Sequence, residues 1–274
     1  MKKFASRLLT LAAIAIMPFA FAACNSNNNE NGETNGGGNG YDNGGTSSAV
    51  VRETLIMATS ADFPPFEFVN DAGEFDGFDI HMARAIADIL DMDLRIDDMD
   101  FGAVIMAVYT GAADVAIAAL TVTEERRQSV NFTTSYFETA LVAIVRQDSD
   151  ITSTAQLHES GIAVAVQLGT TSDLMVEWYL EDAEVVRLRT ATDTIMELNT
   201  NQVDAIIIDR GVAEQFIEDA PGMRILPETL AYEEYAIAVN RDNTELLNRI
   251  NDAIAQMKAS GEFDRIYDMF FGGE

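Results

Sequence analysis

The segment LTVTEERRQSVNF (Leu120–Phe132) puts a cation where a helix start favours an acid. Thr123 has the hydroxyl of an N-cap, able to accept an orphan N–H of the first turn. Glu124 and Glu125 suit the positive end of the helix dipole. Arg126 stands where a capping box would hold Glu or Gln. A guanidinium there joins its fork of donors to the free N–H groups of the helix start, which together seat a carboxylate. The plainer reading is an exposed arginine paired with Glu124 or Glu125. Thr121 adds a hydroxyl and an N–H beside it.

A second such turn, Gly169-Thr170-Thr171-Ser172, leaves N–H groups open ahead of Leu174, and its plainer reading is a helix cap. Asp209 ends the apolar run Ala205–Ile208, where an unpaired carboxylate is costly. It either receives an ammonium or caps a helix beginning at Gly211. An anion seat on one side and an acid on the other would together recognise a zwitterion. Asp62-Phe63-Pro64-Pro65-Phe66-Glu67-Phe68 is rigid and aromatic; Phe63 is placed to stack on a ligand, while a core role suits Phe66 and Phe68 equally. Phe101 is a similar candidate for stacking.

The elements that must position these residues alternate along the chain. Thr54–Ala58 reads as a strand, and Ile80, Ala83, Ile86, Ala87 and Leu90 mark a helix at helical spacing with Asp79 as N-cap. Leu94–Ile96 is a strand, Phe101–Tyr109 a helix ended by Gly111, and Val115–Leu120 a strand. A second series runs through Ile162–Val166, Ser172–Leu180, Val185–Leu188, Thr192–Leu198 and Ala205–Ile208. Two βαβαβ series imply two α/β lobes, each a mainly parallel sheet with flanking helices. Thr139–Val145 and Glu234–Val239 are extended and apolar, suited to crossing between lobes; Thr244–Phe271 is helical with a break at Gly261. Lobe 1 is then 50–142 plus 235–274, and lobe 2 is 143–234. Ligands of open α/β sheets bind beyond the carboxyl ends of the strands. Arg126, Thr171 and Asp209 all follow such ends, so the cleft between lobes is the default site.

The ends of the chain differ from its body. Residues 1–23 carry Lys2, Lys3 and Arg7, an apolar run and small residues, the pattern of a signal peptide. The only cysteine, Cys24, comes next, and residues 24–49 continue as an Asn/Gly-rich tether. A net charge of −28 excludes nucleic acid as a partner. The acidic cluster from Asp91 to Asp100 has Ile96 and Gly102 where a calcium loop needs Gly and Glu, so it reads as a solvated rim. His81 reads as an exposed helix residue, His158 has no partner at metal-ligand spacing, and Trp178 reads as core on an amphipathic helix. No phosphate loop of the GxxxxGK type is present, so no ATP is hydrolysed by this chain.

Six blocks occur in an order that resembles a known family: ATSADFPPFEF (Ala58–Phe68), DGFDIHMARAIA (Asp76–Ala87), GAADVAIAALTVTEERRQSVNFT (Gly111–Thr133), AVQLGTTSD (Ala165–Asp173), VDAIIID (Val203–Asp209) and EEYAIAV (Glu233–Val239). They look like the polar amino-acid-binding proteins of ABC importers, the extracellular solute-binding protein family 3, with its two-lobed periplasmic-binding-protein fold. The resemblance implies that Arg126 pairs with the ligand α-carboxylate, helped by Thr121 and the backbone of Thr171, and that Asp209 receives the α-amino group. It makes Phe63 and Phe101 aromatic walls and gives Ala119 a backbone carbonyl toward the amino group. Ser60 stands where glutamine- and basic-amino-acid-binding relatives carry aspartate, and Gln167 where some carry lysine. That departure favours a neutral polar amino acid over Lys or Arg, with Asp62 as a nearby acid. Phe21-Ala22-Ala23-Cys24 resembles the lipobox of bacterial lipoproteins, with Phe21 in place of the usual Leu, and implies a lipid on Cys24.

The expected function is the capture of an extracellular amino acid by a lipid-anchored monomer that delivers it to a permease and its ATPase, without metal, cofactor or catalysis. The alternatives are a cyclohexadienyl dehydratase-like enzyme on the same fold and a sensor subunit that reports ligand to a receptor.

Overall fold

The computed structural model describes residues 52–180 and 182–272. The signal peptide, Cys24 and the tether lie outside the described residues.

In chain order the first elements are β1 (Thr54–Thr59), β2 (Asp62–Phe63), β3 (Glu67–Val69), β4 (Phe75–Asp76), α1 (Phe78–Ile89), β5 (Asp93–Asp98), α2 (Phe101–Thr110), β6 (Val115–Ala116), α3 (Glu124–Arg127) and β7 (Val130–Phe132). There follow β8 (Phe137–Arg146), β9 (Ala163–Gln167), α4 (Thr171–Tyr179), β10 (Glu184–Leu188), α5 (Ala191–Asn199), β11 (Ala205–Asp209), α6 (Arg210–Asp219), β12 (Met223–Ile225), β13 (Ala231–Tyr235), β14 (Ala238–Asn240), α7 (Thr244–Ser260) and α8 (Glu262–Phe271).

They form two main sheets. The first has the order β5-β1-β6-β14-β7, and the second β10-β9-β11-β8-β12 with β13 also on β8. β1 runs parallel to β5 and β6, and β9 parallel to β10 and β11, as successive βα units require. The antiparallel strands are those beside the sheet changes: β14 against β6 and β7, and β8 against β11, β12 and β13. The chain leaves the first sheet after Phe132 and enters the second at Phe137. It returns between Tyr235 and Ala238.

Phe66 joins these passages. Its ring lies 4.9 Å from Phe137, 5.2 Å from Tyr235 and 5.2 Å from Phe271 of the last helix. Edge-on and tilted aromatic pairs of this kind add about 0.5–1.5 kcal/mol each beyond their buried area.

Local signals fixed several boundaries. Gly111 and Gly261 end α2 and α7 in the left-handed region, at φ 75 and 80. Three expectations are corrected. Asp79 does not cap α1: Gly77 does, at φ 117, because a Cβ there would overlap the Phe66 carbonyl. Asp79 lies inside the first turn and is wholly buried. The strand expected over Val115–Leu120 pairs only at Val115–Ala116, since Ala119 turns left-handed at φ 44. Trp178 is 69% exposed, because α4 buries the face bearing Ser172, Asp173, Met175 and Val176.

Among the described residues no helix is long and apolar enough to cross a membrane.

Candidate functional site

Thr123 is the N-cap of α3, and its hydroxyl accepts the Arg126 N–H at 3.1 Å. That cap turns Arg126 inward. Its side chain is only 8% exposed, which removes the reading of a solvated arginine paired with a neighbouring glutamate. The exposed partner of Glu124 is Arg127 instead, at 4.0 Å. The Arg126 guanidinium donates to the Thr121 carbonyl at 2.7 Å and across to the Gly169 carbonyl of the other half at 3.2 Å. It lies 5.4 Å from the centre of the Phe101 ring, a cation–π contact. Two carbonyls leave further donors of its five N–H groups for an anion. Burial pulls its pKa below the usual value, while the fields of Glu233 and Asp209 push it up.

Asp209 closes β11 and stands at the N-cap of α6, yet makes no capping hydrogen bond there. It is 7% exposed, and its Oδ1 has no hydrogen-bond partner among the described residues. Burial, reinforced by the field of Glu233, pushes its pKa up to about 8; the nearby Tyr235 hydroxyl and, more weakly, the attraction of Arg126 work the other way. A buried carboxyl without an ion-pair partner is the costly arrangement unless a cation arrives.

Behind it lie more acids, to which the sequence reading gave no role in the site. The Asp79 carboxylate accepts the Ala119 N–H at 2.7 Å and the Tyr136 hydroxyl at 2.8 Å. This holds the left-handed turn of Ala119, a conformation that a non-glycine residue keeps only when its surroundings impose it. Burial pushes the Asp79 carboxyl up to about 6. Glu67 is wholly buried too, and desolvation with the nearby charge of Asp79 holds its carboxyl well above the usual range.

The remaining candidates fall into two further groups. Thr121 and Thr171 both donate their hydroxyls to Glu233, at 2.6 and 2.9 Å. Thr171 opens α4 at a position whose N–H has no intrahelical acceptor, with Thr170 as N-cap. Ser60 and Gln167 meet on Asp62: the Ser60 hydroxyl donates at 2.9 Å, Gln167 Nε2 at 3.2 Å and the Ala191 N–H at 2.6 Å. Asp62 thus links the first sheet's loop to the second sheet. Burial raises its pKa and the Ala191 N–H lowers it. Beside it, Arg189 forms an exposed ion pair with Asp100, and Ser60, Asp62, Asp98, Asp100 and Arg189 line a pocket of about 300 Å³. Phe63 is buried, with its ring centre 6.4 Å from that of Phe66, and Phe66 is core. Among the described residues no cluster of His, Cys, Asp or Glu is arranged to hold a metal ion.

A buried guanidinium and a buried acid flank the passage between two sheets, and the family model of the bacterial extracellular solute-binding proteins, family 3, matches residues 55–273. The chain belongs to that family. The arginine-binding extracellular protein ArtP of Bacillus subtilis (strain 168) is 29% identical over 97% of this chain and 98% of its own length. An ancestral arginine-binding protein solved with glutamine is 39% identical, with a TM-score of 0.77 over 81% of this chain and 100% of its own. An ancestral amino acid-binding protein that is a precursor of cyclohexadienyl dehydratase is 30% identical, with a TM-score of 0.76 over 80% and 95% of the two chains. Membership in this family makes the fold a two-lobed one and places the working protein outside the cytoplasm.

Proposed function

We propose that this solute-binding protein captures an extracellular amino acid between its lobes and presents it to the permease of an ABC importer. The observation that carries the reading is the pair Arg126 and Asp209. Both are buried, on elements of different sheets, and neither has an ion-pair partner among the described residues. A carboxylate on Arg126 and the N–H groups of Thr121 and Thr171, with an ammonium on Asp209 and the Ala119 carbonyl, would satisfy both charges at once. Phe63 and Phe101 flank that position as aromatic walls. Because the contacts come from both lobes, the ligand favours the closed form.

The lobes divide where the chain changes sheets: the first runs to Phe132 and resumes at Ala238, and the second runs from Phe137 to Tyr235, so the expected boundary at 142 moves back to Phe137 and Thr139–Val145 is a second-sheet strand, not a crossing. The side-chain end, with Ser60, Gln167 and Asp62 engaged with one another, favours a neutral polar amino acid. A thermal-shift screen of the purified protein against the common amino acids tests the reading, because a ligand bound only by the folded state raises the melting temperature. No shift with any of them rejects it.

On this reading the protein is a monomer held by a lipid on Cys24, behind the tether of 24–49, at the outer face of the cell membrane or in the periplasm. Replacing Cys24 with Ser is expected to release it into the soluble fraction, and continued membrane fractionation of the variant counts against the anchor.

One observation favours a dehydratase as the second reading: Asp209 holds its proton to about pH 8 beside an anion seat, as a general acid must. Turnover of prephenate or arogenate by the purified protein would put that reading first. A sensor subunit differs from an importer subunit only in its partner, which a pull-down of the permease separates.

A further inference from the structure

Glu233 touches both halves of the molecule. It lies on β13, two residues before the chain leaves the second sheet at Tyr235. Its Oε2 accepts the Thr121 hydroxyl, beyond the end of first-sheet strand β6, at 2.6 Å. The same oxygen accepts the Thr171 hydroxyl, at the start of α4 behind second-sheet strand β9, at 2.9 Å. These hydrogen bonds span 112 and 62 residues.

A hydroxyl carries one hydrogen. A threonine that donates it to Glu233 has none left for a ligand carboxylate. The anion seat is therefore made by Arg126 and backbone N–H groups, and the two hydroxyls do a different job. Hydrogen bonds to an ionised acceptor are about twice as strong as neutral ones, and here two of them converge on one oxygen from opposite sides of the passage. The same residues line a cavity of about 650 Å³ that also takes in Glu138 and Glu234, so the carboxylate can exchange these partners for water when the lobes part.

We propose that Glu233 is an interlobe strap, a positioning residue that fastens the closed form by holding Thr121 of one lobe and Thr171 of the other on a single carboxylate oxygen. Its consequence for affinity rests on the amino-acid reading of the Arg126 site; the strap itself belongs to the fold without ligand. Its charge also acts on the site, because a carboxylate near Arg126 and Asp209 opposes an incoming carboxylate while its hydrogen bonds help to close the lobes around it. Charge and strap are thus separable by substitution.

Small-angle scattering of the full chain, with and without an equimolar mixture of the common L-amino acids, reads closure, and thermal shift in the same mixture reads binding. Glu233→Ala is expected to enlarge the radius of gyration in at least one condition and to weaken binding roughly tenfold, the loss of about one charge-assisted hydrogen bond. Glu233→Gln keeps an acceptor oxygen and is expected to close as the parent does and to bind as tightly or more so. Thr121→Val with Thr171→Val is expected to open the ligand-free form as Glu233→Ala does, and adding Glu233→Ala to that pair to open it no further. The strap is overturned if Glu233→Ala is as compact as the parent in both conditions, or if Glu233→Gln opens equally. If the mixture fails to shift the parent protein, the amino-acid reading falls, while the comparison without ligand still decides the strap.

Discussion

At the Arg126 end of the site a guanidinium and a carboxyl are buried without an ion pair, whereas at the Asp62 end the polar groups of the two sheets already engage one another. Asp62 takes hydrogen bonds from Ser60, Gln167 and Ala191, and Arg189 pairs with Asp100. The first end is costly as it stands and, under the proposed function, would become favourable when a zwitterion supplies both missing charges. At the second end, where Gln167 Oε1 alone is left buried without a partner among the named side chains, a ligand side chain must displace or extend contacts that exist without it. Under the proposed function, recognition of the amino acid as a class would sit at one end, and discrimination among amino acids at the other.

The comparison breaks most decisively at Arg126. Arg126→Ala is expected to lower affinity by about thirtyfold to a few thousandfold, because a buried carboxylate left without its cation costs about 2–5 kcal/mol. Titration calorimetry with an amino acid from the thermal screen measures it, and an unchanged affinity would remove the anion seat from the argument.

Asp209 should show the reverse face of the same cost. Its folded pKa of about 8 lies far above the unfolded value of 3.8. Between those values the unfolded chain has lost the proton that the folded chain keeps, so stability without ligand falls as pH rises through that window. Asp79, at about 6, adds to the lower part of the same slope. Asp209→Asn is expected to flatten the slope and to stabilise the ligand-free protein at pH 8 by about 1–3 kcal/mol, while binding falls more than tenfold. Denaturant titrations at pH 5 and 8 read the first effect and calorimetry the second. In the parent protein affinity should rise with pH toward 8, since the ammonium needs Asp209 ionised. A variant that binds normally would make the acid a structural group only.

How much of this could be read in the sequence follows from how local each cause is. The cap by Thr123 and the ends at Gly111 and Gly261 depend on residues within a turn, and the alternation of strands and helices depends on periodicity; these were legible. Arg126 was legible as an oddity because it breaks a local preference at a helix start. The acid network was not. Asp79 looks like a helix cap until a backbone N–H from 40 residues away, that of Ala119, reaches it. That contact also shortens the expected strand after Ala116, since it fixes the left-handed turn at Ala119. Glu233 sits in a block that resembles the family, but its partners lie 112 and 62 residues back, and nothing in its neighbours announces them. Trp178 reads as core because an amphipathic pattern gives a face without its partner, and α4 leaves that turn to solvent.

The smallest effect belongs at the other end of the site. The Arg189–Asp100 pair has side chains 72% and 54% exposed. Exposed ion pairs contribute about 0–1 kcal/mol, because water screens the charges and two long side chains lose freedom in forming them. Arg189→Ala is therefore expected to change affinity less than about fivefold, and the difference should shrink as salt rises and the Debye length falls from about 10 Å at 0.1 M to about 3 Å at 1 M. The ranking of amino acids in the thermal screen is the more telling readout. Arg189 lines the small acidic pocket with Asp62, Asp98 and Asp100, so its loss leaves three carboxylates facing the ligand side chain. Cationic amino acids should gain on neutral ones in the variant. A loss as large as that of Arg126→Ala, equal for every amino acid, would mean that the Asp62 and Arg189 contacts at this end and the charges at the other act as one unit, and the division between class recognition and discrimination would fail.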